Sequence, residues 1–175
     1  MQRAEPLRDD IFREPFWLAV TILLLAAATI LSALGFQHIG GYQPCALCLM
    51  QRTPYYFGIP LAAATAIAAG MGAPRRLTAL FFGLLAALML YGAALGAYHA
   101  GVEWGLWEGP AACAPSVGVG SAADMLNQLE TQHAPSCTEA VWRFLGLSFA
   151  GWNFLVSALL AGLSVFAARQ ALRRA

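Results

Sequence analysis

The sequence predicts an all-α membrane protein, a four-transmembrane-helix bundle with both termini in the cytoplasm and two loops on the outer side. Three observations carry that prediction: the composition, four long uncharged stretches, and the distribution of the arginines. Residues of the hydrophobic set make up 59% of the 175, charged residues only 11%, and mean hydropathy is +0.62. An ordinary soluble domain is about 25% charged, and this chain cannot build such a surface. The same numbers exclude a disordered chain and a secreted disulfide scaffold. A net charge of +1 also excludes a nucleic-acid binder that relies on a basic face.

Residues 16–35 give a 20-residue stretch without a charge, which as a helix rising ~1.5 Å per residue covers the ~30 Å hydrocarbon core. It resembles a signal peptide in ending on Ala33, Leu34 and Gly35, but Asp9, Asp10 and Glu14 spoil the basic leader such a peptide needs. It is therefore expected to stay as the first span. Residues 55–71, interrupted by Pro60, form the second, 77–98 the third and 145–168 the fourth. The outer loops are 36–54 and 99–144, and the whole of 1–175 reads as a single membrane domain. The chain has no Lys, and eight of its ten arginines fall in the termini and the short turn at 72–76. Only Arg52 and Arg143 fall in the other loops. Positive charge accumulates on the cytoplasmic side, which sets the orientation.

No Asp, Glu, Arg or His lies at mid-span, which argues against a pump or channel, because proton and ion pathways need such residues. Gly92 and Gly96 form a GxxxG that lets two helices approach closely. Trp17, Tyr55, Tyr56, Trp104, Trp107, Trp142 and Trp152 lie near span ends and are expected mostly to anchor the bundle at the interface. Asn153, within the fourth span, is a candidate for a helix–helix hydrogen bond or a ligand contact.

All four cysteines, Cys45, Cys48, Cys113 and Cys137, fall in the outer loops. There disulfides persist, and three connectivities are open. Cys45 and Cys48 make a C-x-x-C behind Pro44. A thiol at a helix start has a lowered pKa, and Pro44 suits such a start. Arg52 would then lie one turn past Cys48 on the same helix face, a cation beside a thiolate. Haem attachment would need His after Cys48, where Leu49 stands. A zinc site built from all four cysteines is disfavoured because the second pair lacks C-x-x-C spacing, and no metal is expected. The C-x-x-C closes too short a loop to be a useful staple. A Cys113–Cys137 bridge, in a segment holding Pro110, Pro115, Gly118, Gly120 and Pro135, would be exposed and open to thiolate attack. Between them, residues 121–130 have the pattern of a short amphipathic helix capped by Ser121, able to lie on the membrane surface.

These residues resemble the DsbB family of bacterial inner-membrane disulfide-bond formation proteins. The likeness rests on Pro44, Cys45, Ala46, Leu47 and Cys48 with Arg52, on Cys113 and Cys137, and on the run from Trp142 to Leu147. It covers nearly the whole chain. It implies a multi-pass protein with periplasmic cysteines that reoxidises a DsbA-type thioredoxin-fold partner and passes two electrons to a ubiquinone- or menaquinone-type quinone, the relay that keeps a bacterial periplasm oxidising. Under the resemblance, the partner attacks Cys113 of a Cys113–Cys137 disulfide, and Cys137 attacks Cys45. Cys48 then engages the quinone beside Arg52, and collapse of that adduct restores Cys45–Cys48. His99 is the candidate for a histidine near the quinone, while His38 and His133 read as ordinary loop residues. No nucleic-acid partner is implied; lipid and quinone are, with a monomeric protein.

Two other readings compete. A vitamin K epoxide reductase-like enzyme also couples quinone to loop cysteines, but there the separated pair precedes the C-x-x-C. A non-enzymatic tetraspan scaffold stapled by disulfides would leave Arg52 unexplained.

Overall fold

The computed structural model describes residues 6–113 and 136–173, with side chains from Glu14 onward. Helix α1 runs over Pro6–His38, α2 over Ala46–Gly70, α3 over Arg75–Glu103 and α4 over Phe149–Arg173. A 3-10 turn at Ala111–Cys113 and a hairpin of β1 (Arg143–Phe144) and β2 (Leu147–Ser148) sit between α3 and α4. The amphipathic stretch expected at 121–130 and His133 lie outside the described residues.

Each helix turns one narrow stripe inward. Ala19, Ile22, Ala26 and Ile30 of α1 meet Tyr55, Ala62 and Ala66 of α2, Phe82, Leu85 and Met89 of α3, and Leu160, Ala161 and Ala167 of α4. On α1 and α3 these recur every three or four residues, the spacing of one helix face. Large apolar side chains point outward instead: Leu24, Leu31, Ile67, Leu84, Leu90, Leu159 and Phe166 are all exposed. Water would not tolerate so many, whereas lipid tails do. Thr21, Thr29, Ser32 and Ser164 donate their hydroxyls to carbonyls one turn back, so these donors are satisfied within their own helix.

Three helical segments are long and apolar enough to cross a membrane: Glu14–His38, Arg75–Glu103 and Phe149–Arg173. Helix α2 is as long as the last, but its prolines, tyrosines and threonines dilute its hydropathy. The closest packing is between α3 and α4. A Cβ on Gly96 would come within 2.8 Å of the Phe154 amide nitrogen, and one on Gly92 within 3.2 Å of Ser157 Oγ. The GxxxG thus does what small residues do in membranes, letting one helix lie against another's backbone.

The fourth uncharged stretch begins at 145, but its helix begins only at Phe149. Leu145 (φ 51°) and Gly146 (φ 82°) both adopt left-handed conformations, which twist a two-residue turn to match the hairpin strands that flank it. Residues 143–148 are therefore a hairpin at the head of α4.

Candidate active site

The cysteines gather at one end of the bundle. Helix α2 starts where Pro44 allows it, with Cys45 as the residue ahead of its first turn. The Cys45 sulfur accepts the Cys48 backbone N–H at 3.2 Å, doing what a Ser or Asp oxygen does at a helix start. Its polar neighbours all favour a thiolate. The Cys48 thiol donates to it most strongly, and His99 adds a hydrogen bond and charge. Together they outweigh burial and hold Cys45 well below the ordinary thiol range, at about 4. Cys48 moves the other way, because its proton is held by Cys45 and because it is buried. Within the pair, Cys45 carries the charge and Cys48 the proton.

Cys113 and Cys137 are joined by a disulfide, while Cys45 and Cys48 are free. The expected exposed bridge is not what the fold builds. Cys137 is 0% exposed and packs with Cys45, Leu47 and Val102, whereas Cys113 is half-buried at the rim. Trp107 folds back on α3, stacks on Tyr98 and donates its indole N–H to the Tyr98 carbonyl at 2.7 Å. Its ring fills the place a side chain at Gly101 would take. The sulfurs of Cys45 and Cys137 and a ring nitrogen of His99 all lie within 4.8 Å of one another.

His99 is buried at 3% exposure. Its Nδ1 receives the Gln51 amide at 2.6 Å, and its Nε2 faces the Cys45 sulfur at 3.7 Å and Glu103 Oε1 at 3.8 Å. The network runs on into the bundle. Asn153 donates to Gln51 Oε1 at 2.7 Å and accepts from the Tyr55 hydroxyl at 2.9 Å, which also meets Ser157 at 2.8 Å. Tyr55 is thus a buried member of this network and does not serve as the interfacial anchor its position near a span end suggests. Asn153 makes the helix–helix bond that was one of its two candidate roles.

Beside this network lies a cavity of about 460 Å³. Cys48, Gln51, Arg52, His99 and Asn153 supply polar groups to a wall otherwise built from residues such as Ile30, Phe36, Trp142 and Phe149. Trp142 stacks on both Phe144 and Phe149, and the Trp152 indole donates to the Phe144 carbonyl at 3.1 Å. These rings form one side of the cavity, Trp142 and Trp152 among them, which were expected to be anchors. Arg52 Nη1 donates to Gln37 Oε1, which aims the guanidinium along the same wall. Mostly apolar walls with a few directed donors suit a flat, lipid-soluble ring with carbonyl oxygens.

Of the six residues singled out from the sequence, the fold brings Cys45, Cys48, Arg52 and His99 around this region and sets the Cys113–Cys137 bridge against Cys45. Glu103, Gln37, Gln51 and Tyr55 were not singled out for the site. The only available signal was spacing: Glu103 falls one turn past His99, and Gln51 precedes Arg52 on a helix whose first residues carry the cysteines.

Residues 15–167 match the family described as Disulfide bond formation protein DsbB. The chain is 32% identical to Disulfide bond formation protein B of Marinobacter nauticus over 86% of its own length and 89% of the relative's. It is 33% identical to that of an Azoarcus species, covering 85% and 90%, and 32% identical to that of Saccharophagus degradans, covering 90% and 93%. No solved structure matches it. A membrane protein with two cysteine pairs in one buried cluster, matched across most of its length in this way, belongs to the DsbB family of disulfide bond formation proteins.

Proposed function

We propose that this disulfide oxidoreductase reoxidises a DsbA-type thioredoxin-fold dithiol oxidase in the periplasm and hands the electrons to a membrane quinone. The chain would act as a single domain in the bacterial inner membrane, with α1 to α4 all spanning, both termini cytoplasmic and the cysteine end periplasmic. One observation carries the reading: the Cys137 sulfur lies within 4.8 Å of the Cys45 sulfur, with His99 beside both.

What each sulfur touches supports the following steps. The partner's thiolate attacks Cys113, the rim sulfur of the bridge, and Cys137 leaves as a thiolate already beside Cys45. Cys137 then attacks Cys45 of the oxidised first pair, the Cys45–Cys48 bond breaks, and Cys48 is freed at the cavity wall. Stabilising the Cys45 thiolate favours the reduced form of the first pair, which makes that pair the more oxidising and draws electrons toward it. A bound quinone supplies an acceptor for two electrons and two protons. Cys48, Arg52 and His99 line the cavity that would hold it, with Arg52 aimed by Gln37 to donate to an oxygen that gains charge.

The test is quinone reduction by purified protein in detergent with a reduced thioredoxin-like dithiol, comparing native protein with Cys48→Ser. Turnover that disappears in the variant is the expected result. Absence of turnover with several partners and quinones would favour a stapled scaffold. A vitamin K epoxide reductase-like activity is disfavoured by the order of the pairs, since the C-x-x-C comes first here.

A further inference from the structure

Reducing a disulfide to two neutral thiols takes up two electrons and two protons. The first pair does not end as two neutral thiols. Cys45 accepts from the Cys48 thiol, from the Cys48 backbone N–H and from the His99 side, so one sulfur keeps a proton and the other does not. One proton per reduced pair is left over.

A second unusual group stands next to that thiolate. The Glu103 side chain is 4% exposed, Oε1 lies 3.8 Å from His99 Nε2, and Oε2 is buried without a hydrogen-bond partner among the described residues. A buried carboxylate oxygen with nothing to accept from is costly, and a proton on the Glu103 carboxylate offsets that cost. Gln51 and Asn153 lock the ring so that Nε2 is turned to Cys45 and Glu103 together. Of the other ionisable groups among the described residues, Cys45 and Cys48 feel the charge of the pair, and Arg52 and Tyr55 of α2 line the same cavity as His99. Arg52 cannot release a proton and is directed at Gln37. The Cys113–Cys137 bridge does not titrate.

Resting on the thiol relay above, we infer that the Glu103 carboxylate beside His99 takes up the second proton when the Cys45–Cys48 disulfide is reduced, since the His99 ring, with Nδ1 accepting from Gln51, already carries its hydrogen on Nε2. The balance closes. A dithiol donor loses two electrons and two protons and becomes a disulfide; the Cys45–Cys48 bond breaks; one proton stays on Cys48 and one goes to Glu103. The new negative charge on Cys45 is offset by the new proton beside it, so the buried site keeps its net charge. His99 lines the cavity, and Glu103 lies 3.8 Å behind it, so the second proton is stored beside that wall for an acceptor that needs two protons as well as two electrons.

The experiment needs no quinone. Full-length protein carrying Cys113→Ser and Cys137→Ser, in detergent, is equilibrated with a soluble dithiol–disulfide buffer between about pH 6 and about pH 8, below the donor's thiol pKa values, and the fraction of reduced first pair is counted by alkylation. If Glu103 holds the second proton, none is released and the equilibrium constant is flat with pH. If it does not, one proton is released and the constant rises about tenfold per pH unit. The expected result is flat with Glu103 present, tenfold per unit in Glu103→Gln, and flat again in Glu103→Asp. A tenfold slope with Glu103 present overturns the inference, as does a flat profile in Glu103→Gln, which would assign the proton elsewhere. Should Glu103→Gln fail to fold, the slope with Glu103 present still decides whether a second proton is held. A protein that gave the expected slopes yet reduced no quinone would sink the proposed function and leave this proton store standing.

Discussion

The two cysteine pairs share one buried cluster, yet they are built by opposite means. Cys45 and Cys48 sit at the start of a helix, three residues apart, in surroundings that separate a thiolate from a thiol. Cys113 and Cys137 are 24 residues apart, come from the long connection between α3 and α4, and hold a disulfide with one sulfur at the rim and one at 0% exposure. One pair is tuned by its neighbours, the other by its position. The difference teaches that reactivity and delivery can be divided: charge stabilisation needs a fixed helix end, and access needs a rim.

The comparison breaks most severely at Cys137. Cys137→Ser leaves Cys113 able to meet a partner but removes the second pair's sulfur that lies beside Cys45. Oxidation of the dithiol partner should fall by about a thousandfold or more, as when a nucleophile is deleted. Quinone should still oxidise Cys45 and Cys48. Cys113→Ser should give the same division from the other end, and mass spectrometry after alkylation reads both. Finding Cys45 and Cys48 reduced under excess quinone in either variant would mean that the order of the pairs is wrong.

The tuning of the first pair can be removed without touching the second. The Cys48 thiol is the largest cause of the lowered Cys45 pKa, so Cys48→Ala should move the thiolate's ultraviolet absorbance midpoint from about 4 upward by about two units or more. The sign for stability follows. In the reduced native protein Cys45 is depressed relative to the unfolded chain, so its contribution is fully present above the ordinary thiol pKa of about 8.5. It falls as pH drops toward about 4 and is gone below that. The reduced protein should therefore lose thermal stability on acidification through this window, and Cys48→Ala should lose less. An unchanged midpoint would shift the credit to His99 and the helix end.

The bundle and the first pair were legible in the sequence because they follow local rules. Four uncharged stretches mark helices, Gly92 and Gly96 mark the α3–α4 contact, and Pro44 ahead of Cys45 marks a helix start. The second pair was legible only as residues. Its burial comes from Cys137 packing against Cys45, Leu47 and Val102, contacts far apart in sequence that no periodicity announces. Glu103 falls in the stretch read as outer loop, 99–144, because it follows the third uncharged stretch. The helix runs five residues beyond that stretch, to Glu103 itself, and carries the carboxylate inward. Residues 145–148 read as the start of the fourth span because they are uncharged, but Leu145 and Gly146 turn the chain there.

Arg52 sharpens the comparison on the acceptor side, since it lines the cavity with Cys48 and has no place near the second pair's rim. Arg52→Ala should raise the Michaelis constant for quinone by about tenfold to a hundredfold, the worth of one charge-assisted hydrogen bond, and leave that for the dithiol partner nearly unchanged. Equal effects on both constants would remove the quinone role.

The smallest effect belongs to Gln37, and it separates aiming from charge. Gln37 sits one residue from the end of α1 and accepts from Arg52 on α2, so it ties the guanidinium to a neighbouring helix at the cavity wall. Gln37→Ala leaves the cation in place and removes only its tether. The quinone Michaelis constant should rise by about threefold to tenfold, the scale of one ordinary hydrogen bond, because the charge stays and only its aim is lost. In an Arg52→Ala background the same change should add nothing, because there is no guanidinium left to aim. Additive losses would mean that Gln37 meets the ring itself. A full-sized loss from Gln37→Ala alone would mean that position, more than charge, is what Arg52 contributes. Either result leaves the second pair untouched, so the partner's Michaelis constant serves as the internal control in each case.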